Sequence, residues 1–267
     1  MIEVTNDDSG FVRPTFGKHI VASSTVDLRV FHFSGGRSSA KMVIDNYKEG
    51  DLVIFCDTER EDPKTYKFLN DFEAFENIPI IRLTMQGGWK GLLKKMKGIP
   101  NRAKRRCTIE MKIKTARRYL RTLGWIRYTQ FVGFRGDEKV RVEGYTHYWK
   151  KVTTLFPLYE TKQSEPMINE YWNGKPYGLE IPKILSNCDL CFMKGEDKAI
   201  AILTNDISKA DKWIEDEEDE VLNPNKYTYF EKRTMRQLRD VAQGFIDKGK
   251  IFDLSEMTAK FSCTCHA

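Results

Sequence analysis

The earliest residues in this chain that could do chemistry together are Ser34, Gly35, Gly36, Arg37, Ser38 and Ser39. The two glycines permit a tight turn that brings backbone N–H groups against phosphate oxygens. Three hydroxyls can donate hydrogen bonds, and Arg37 can fork onto a phosphate. A helix starting at this loop would add its positive end. The spacing and the lysine of a Walker loop are missing. Taken alone, Ser-Gly-Gly reads equally well as a plain turn.

The thiols form a second group. Six cysteines in 267 residues are few for a disulfide scaffold. Cys188-Asp-Leu-Cys191 has the spacing that lets two thiolates reach one metal or cluster, and Cys263 and Cys265 make a second short pair. Three readings follow: a four-iron (4Fe-4S) cluster, a structural zinc site on both pairs with His266, or reduced thiols without a metal. Iron and zinc both accept four thiolates, so spacing does not separate them. Cys56, inside an apolar run, reads as a small core residue.

Charge gives the third signal. Between Lys90 and Arg121 thirteen Lys or Arg face a single acid, Glu110, so the segment carries +12. The whole chain carries +6, which leaves −6 for the remainder. A local field of that size suits a polyanion, either nucleotide phosphates or a nucleic-acid acceptor, and the alternative is a solvated helix face. Aromatic residues interleave poorly with the run, which weakens a single-strand stacking surface.

The elements that must position these residues follow from periodicity. Short β-favouring runs at 28–33, 51–56, 78–83 and 130–134 alternate with helical patterns at 38–47, 63–75 and 108–123. Such alternation predicts an α/β, Rossmann-like parallel sheet covered on both faces, with ligands at the carboxyl ends of the strands. Residues 1–27 read as an N-terminal extension, 28–160 as the nucleotide-binding domain and 161–267 as a mainly helical part. Within that last part, helices are expected at 167–173 and 198–213, and the acidic run 215–220 is expected as a solvated loop or helix end. No stretch reaches the apolar length of a membrane span, and the N-terminus lacks the order of a signal peptide, so a cytoplasmic protein is expected.

In sequence order, SGGRSSA resembles the PP-loop usually written SGGxDS, and CDTEREDPKT resembles the DTGxxxPET element of phosphoadenosine-phosphosulfate (PAPS) reductases. RRCTIEMKIK is similar to their cysteine-then-lysine element, GFRGDEKVR to their GxRxxES-type loop, and FPL to their PL segment. The chain departs from the pattern at Ser38 in place of aspartate, at Glu59 in place of glycine, and in ending FSCTCHA where that family carries ECGLH.

The resemblance implies a PP-loop fold that binds ATP or adenosine phosphosulfate. Ser34 to Ser39 would hold the nucleotide, and Asp57 would lie near the ribose, the base edge or a Mg ion. Lys112 and Arg135 would neutralise charge on the phosphates. It implies either adenylation with release of pyrophosphate, coupled to sulfur transfer or acceptor modification, or sulfonucleotide reduction with Cys263 or Cys265 as nucleophile. A non-catalytic nucleotide or nucleic-acid binder with a structural metal is the third alternative. Cys107 lies 81 residues before Cys188, similar to the layout of the family's iron-sulfur branch. That implies a cluster on Cys107, Cys188, Cys191 and one C-terminal cysteine, Cys263, with Cys265 left for catalysis.

Overall fold

The computed structural model describes residues 4–6, 12–14, 27–147, 149–182, 185, 187–255 and 257. Near the start, β1 (Val4–Asn6) pairs antiparallel with β2 (Val12–Pro14). The main sheet comprises β3 (Arg29–His32), β4 (Leu52–Asp57), β5 (Ile81–Thr84), β6 (Tyr128–Val132) and β7 (Val152–Leu155). All its neighbours run parallel, in the order β5-β4-β3-β6-β7. The expected α/β parallel sheet is therefore present, with one strand more than the sequence pattern separates. That strand, β7, is half-exposed at the sheet edge, so it carries little apolar signal.

The chain enters the sheet at its centre, builds outward through β4 and β5, and then returns to β6 on the other side of β3. Strand order reverses between β3 and β6, and the loops after those two strands open a crevice there.

The helices are α1 (Arg37–Asn46), α2 (Pro63–Glu76), α3 (Gly88–Met96), α4 (Lys114–Thr122), α5 (Lys139–Glu143), α6 (Pro157–Glu160), α7 (Glu165–Asn173), α8 (Glu196–Asn205), α9 (Asp211–Glu218) and α10 (Met235–Ile246). Their ends follow local chemistry. Asp62 accepts from Lys64 N at 3.0 Å with Pro63 at the first position of α2, and Asn77 closes that helix in the left-handed conformation. Thr234 and Gln237 form a capping box on α10.

Three expectations need correction. Residues 108–123 are not one α-helix: Cys107–Ile113 is a π-helix, after which Lys114 N donates to Ile109 O and α4 begins. At roughly 100° per residue, positions five apart in an α-helix are about 140° apart around the axis. The wider π turn brings them closer to one face. Residues 198–213 divide into α8, a 3-10 turn at Ile207–Ala210 and α9, because Asp206 accepts from Ser208 N at 3.2 Å and caps the turn. The acidic run is helical through Glu218, and it turns Asp216 and Glu217 inward, 2% and 9% exposed.

Packing covers both faces of the sheet. Phe31, Phe33 and Phe55 meet Phe68 and Phe72 of α2 and Trp172 of α7 on one side, while Ile54 and Cys56 meet Ala116 and Leu120 of α4 on the other. A separate core joins Trp89, Leu92 and Leu93 of α3 to Leu203, Trp213 and Leu238 of α8, α9 and α10. The helical part after residue 161 thus completes the burial of α3. Among the described residues no helix is long and apolar enough to cross a membrane.

Candidate functional site

A cavity of about 400 Å³ opens at the carboxyl end of the sheet, where strand order reverses. The turn after β3 forms its floor. Gly35 has φ +78°, and a Cβ there would lie 2.6 Å from Thr65 Cγ2, so the turn requires glycine. Gly36 is different: its φ is −106°, and a Cβ there would meet nothing closer than 3.5 Å.

Hydroxyls close the turn. Ser39 Oγ accepts from Ser34 N at 3.1 Å and donates to Gly36 O at 2.9 Å, and the Ser34 hydroxyl lies 2.9 Å from Ser39 Oγ. Asn187 Nδ2 donates to Ser34 O from the far wall. The α1 N-terminus carries no side-chain cap and no acid in its first turn. Its leading N–H groups and the Ser38 hydroxyl at the cavity wall make a ready anion site.

Three cations flank this floor. Arg37 donates to Asn169 Oδ1 at 3.2 Å and to Leu179 O at 2.7 Å, and its Nε is buried with no hydrogen-bond partner. Burial lowers its pKa, against the opposing pull of Glu165. Lys112, buried on the π-helix, has Nζ 3.5 Å from Glu61 Oε1. Arg135, after β6, donates from Nε to Asp137 Oδ1 at 2.9 Å, and its NH2 lies 3.8 Å from both Glu138 and Glu165. Burial would lower the Arg135 pKa, but the Asp137 hydrogen bond and the Glu138 and Glu165 charges outweigh it and raise it.

Three of the cysteines, Cys107, Cys188 and Cys191, line the same cavity. The π-helix puts Cys107 and Lys112, five residues apart, on that wall together. The hydrogen bond with Cys191 favours the Cys188 thiolate, yet burial together with Glu61 and Asp189 pushes its pKa up to about 11. Binding a cation there would release a proton. Among the described residues no three His, Cys, Asp or Glu side chains stand close enough to hold one metal ion. The thiols therefore fit a cluster or zinc as donors, while their approach does not form a complete site. Cys263, Cys265 and His266 lie outside the described residues. Cys56 is a core residue of β4, its pKa raised to about 12 by burial.

Asp57 does not line the cavity. Its Oδ1 accepts from Glu59 N and from Tyr66 OH, each at 2.7 Å, and so ties down the loop after β4. That loop accounts for the glutamate at position 59, which has φ +60°. Its carboxylate accepts from Trp89 N at 2.8 Å at the start of α3 and lies over Gly88, where a Cβ would be 2.3 Å from Oε1. An anion at a helix N-terminus offsets the backbone strain that glycine would avoid.

Sequence reasoning missed Glu61, Asn187, Asp137 and Glu138 at this cavity. Glu61 sits in the CDTEREDPKT element, where Asp57 and Asp62 are buried as well, and its pairing with Lys112 distinguishes it from them. Asn187 and Cys188 face it because Asp62 N donates to Asn187 O at 2.6 Å and Glu61 bridges Cys188.

The family model for the phosphoadenosine phosphosulfate reductase domain matches residues 29–173. A protein of Escherichia phage lambda, the uncharacterized nin region protein ORF290, is 26% identical over 203 residues, which cover 64% of this chain and 68% of its own. A crystal structure of PAPS reductase from Candida auris in a phosphate complex has 16% identity and a TM-score of 0.39, over 57% of this chain and 74% of that one.

Proposed function

The chain belongs to the phosphoadenosine phosphosulfate reductase domain family, and from that premise we propose that its cavity binds an adenine nucleotide and that the protein acts at the α-phosphate. One observation carries this reading: the uncapped α1 N-terminus, Arg37, Lys112 and Arg135 all line one cavity of about 400 Å³, a volume suited to a ligand of nucleotide size. Backbone N–H groups of the loop and Ser38 hold phosphate oxygens. Lys112 supplies positive charge where it grows in the transition state, the dominant contribution in such chemistry. Glu61 holds the Lys112 ammonium in place.

The reaction this supports is adenylation. An acceptor's lone pair forms a bond to the α-phosphorus, the bond from that phosphorus to the oxygen bridging to the β-phosphate breaks, and pyrophosphate departs with the electron pair. The acceptor's proton is released to water. Sulfur transfer or modification of the acceptor then follows.

Cys107, Cys188 and Cys191 are proposed as ligands of one 4Fe-4S cluster, supported by their shared cavity wall and the Cys188–Cys191 contact. Cys263 or Cys265 would be the fourth ligand. When bound, such a cluster supplies sulfur or electron chemistry beside the nucleotide, and the adenylation step does not pass through it.

Calorimetric titration of ATP and of adenosine 5′-phosphosulfate tests the site. Gly36→Val fills the floor from a backbone conformation that valine adopts, so binding should weaken at least tenfold at unchanged melting temperature. Equal binding by wild type and variant would remove the cavity from consideration.

A further inference from the structure

The basic segment was expected to serve either the nucleotide pocket or an external polyanion, and its side chains divide unequally between the two. Of its thirteen cations only Lys112 is buried and lines the cavity. Lys94, Lys97, Arg102, Lys104, Arg118 and Arg121 are all exposed, and none has a carboxylate within ion-pair distance among the described residues.

Cations from α3, the 101–106 loop and α4 converge on one acid. Lys95 of α3 and Lys114 of α4 reach the same buried carboxylate, Glu110, at 2.5 and 2.6 Å, with Arg106 at 4.0 Å. The exposed sides of α3, of the 101–106 loop and of α4 therefore meet around a single acid. Lys90 and Lys94 lie one turn apart on α3 with Lys97 at its C-cap, and Lys114, Arg118 and Arg121 follow helical spacing on α4 over about 10 Å. The 101–106 loop is ordered by Asn101, whose Oδ1 accepts from Ala103 N at 3.1 Å and Lys104 N at 3.0 Å.

The composition of this face selects its partner. The segment's only aromatic ring, Tyr119, is half-buried, with its hydroxyl buried, and none of the large apolar side chains exposed on the protein belongs to residues 90–121. Residues 90–121 themselves offer bases no exposed ring, with Tyr227, 5.1 Å from Lys104 Nζ, an exposed ring at their border, and they offer no apolar side chain to insert into a lipid bilayer. Ammonium and guanidinium groups on a firm helical face suit the regularly spaced phosphates of a duplex, one charge per roughly 1.7 Å of B-form axis.

We infer that the exposed face of residues 90–121 binds the phosphodiester backbone of duplex DNA without reading its sequence. The inference stands independently of the nucleotide reading, although Cys107 and Thr108 at the cavity wall place the two surfaces side by side.

The test is fluorescence anisotropy of a labelled 20-base-pair DNA duplex with the full chain across a NaCl series. Six phosphate contacts predict a slope near −5 in log affinity against log salt, with submicromolar binding at 50 mM NaCl. Lys94→Glu/Lys97→Glu and Arg118→Glu/Arg121→Glu should each weaken binding at least tenfold at 100 mM NaCl. Lys48→Glu and Lys248→Glu, exposed cations elsewhere, should leave it within twofold. Thermal melts of every variant establish that its fold is retained, and Lys94→Gln/Lys97→Gln replaces any reversal that fails them.

The inference is overturned by a slope shallower than about −2, by equal weakening in the Lys48 and Lys248 variants, or by tighter binding to single strands, duplex RNA or acidic phospholipid vesicles. ATP titration of the same proteins separates the two proposals. DNA binding by a wild type that ignores ATP would retire the nucleotide reading and sustain this one, and ATP binding without DNA binding would do the reverse.

Discussion

Two charged runs of this chain are treated in opposite ways by the fold. The acidic run at 215–220 turns Asp216 and Glu217 into the core formed by α3, α9 and α10, where each finds specific donors. Asp216 Oδ2 accepts from Arg60 at 2.5 Å, Trp89 Nε1 at 2.7 Å and Tyr229 OH at 2.9 Å, and Arg60 packs over the rings of Trp89 and Trp213, 5.0 and 5.3 Å from their centroids. The basic run at 90–121 buries only Lys112 among its cations, gathers three exposed cations on Glu110 and leaves Lys94, Lys97, Arg102, Arg118 and Arg121 exposed. The contrast separates two uses of charge. A buried, fully partnered carboxylate fixes how segments pack, whereas surplus exposed charge does little for stability and remains available to a partner.

The largest effect should come from the buried side. Asp216→Ala leaves the Arg60 cation buried and deprives Trp89 and Tyr229 of their acceptor, which should cost about 3–5 kcal/mol. Urea denaturation measures it, and a loss below about 1 kcal/mol would contradict the role given to this pair. Because the Arg60 carbonyl also accepts from Asp189 N at 3.1 Å, the same variant should loosen the Cys188–Cys191 turn.

Glu217 should give an intermediate effect that depends on pH. Its oxygens accept from Tyr229 N at 2.9 Å and Met235 N at 2.6 Å, yet burial raises its pKa from 4.5 to about 7. Between those values the folded chain keeps a proton that the unfolded chain releases, so stability falls as pH rises from about 4.5 to about 7. The decline should be on the order of 1–3 kcal/mol, at 1.36 kcal/mol per pKa unit. Glu217→Gln should remove that slope, and an unchanged pH profile in the variant would assign the decline to other groups.

The smallest effect on stability belongs to Glu110. Burial would raise its carboxyl, but Lys114 and Lys95 outweigh it and hold its pKa below the ordinary value. Glu110→Gln frees cations that water resolvates, so the loss should stay within about 1 kcal/mol at pH 7. The variant removes the one negative charge beneath the exposed face, and its affinity for duplex DNA should rise. A stability loss as large as that of Asp216→Ala would erase the distinction between the two regions.

How much of this was legible beforehand differs from residue to residue. The apolar runs around Val30, Ile54 and Phe131 announce buried parallel strands because both faces of such a sheet are covered. The loop at Ser34–Ser39 is legible because Gly35 must take a positive φ. β7 was not, since an edge strand exposes half of its side chains. The π-helix was not, because Cys107 and Lys112 reach one wall through a backbone hydrogen-bond shift that leaves no mark on apolar spacing. The acidic run looked solvated because nothing near it in sequence offers donors to Asp216: Arg60 lies 156 positions away.

By itself, then, the sequence determined the sheet, the glycine turn after β3, the family pattern and the existence of a cationic segment, all of which are local in chain order. Tertiary structure alone decided which charges turn inward. It paired Glu61 with Lys112, brought Asn187 to the Ser34 carbonyl, and packed Arg60 over two tryptophans against Asp216. The reason is physical. A strand or a turn is fixed by neighbours a few bonds away, whereas burying a charge is tolerable only where a distant partner arrives to meet it.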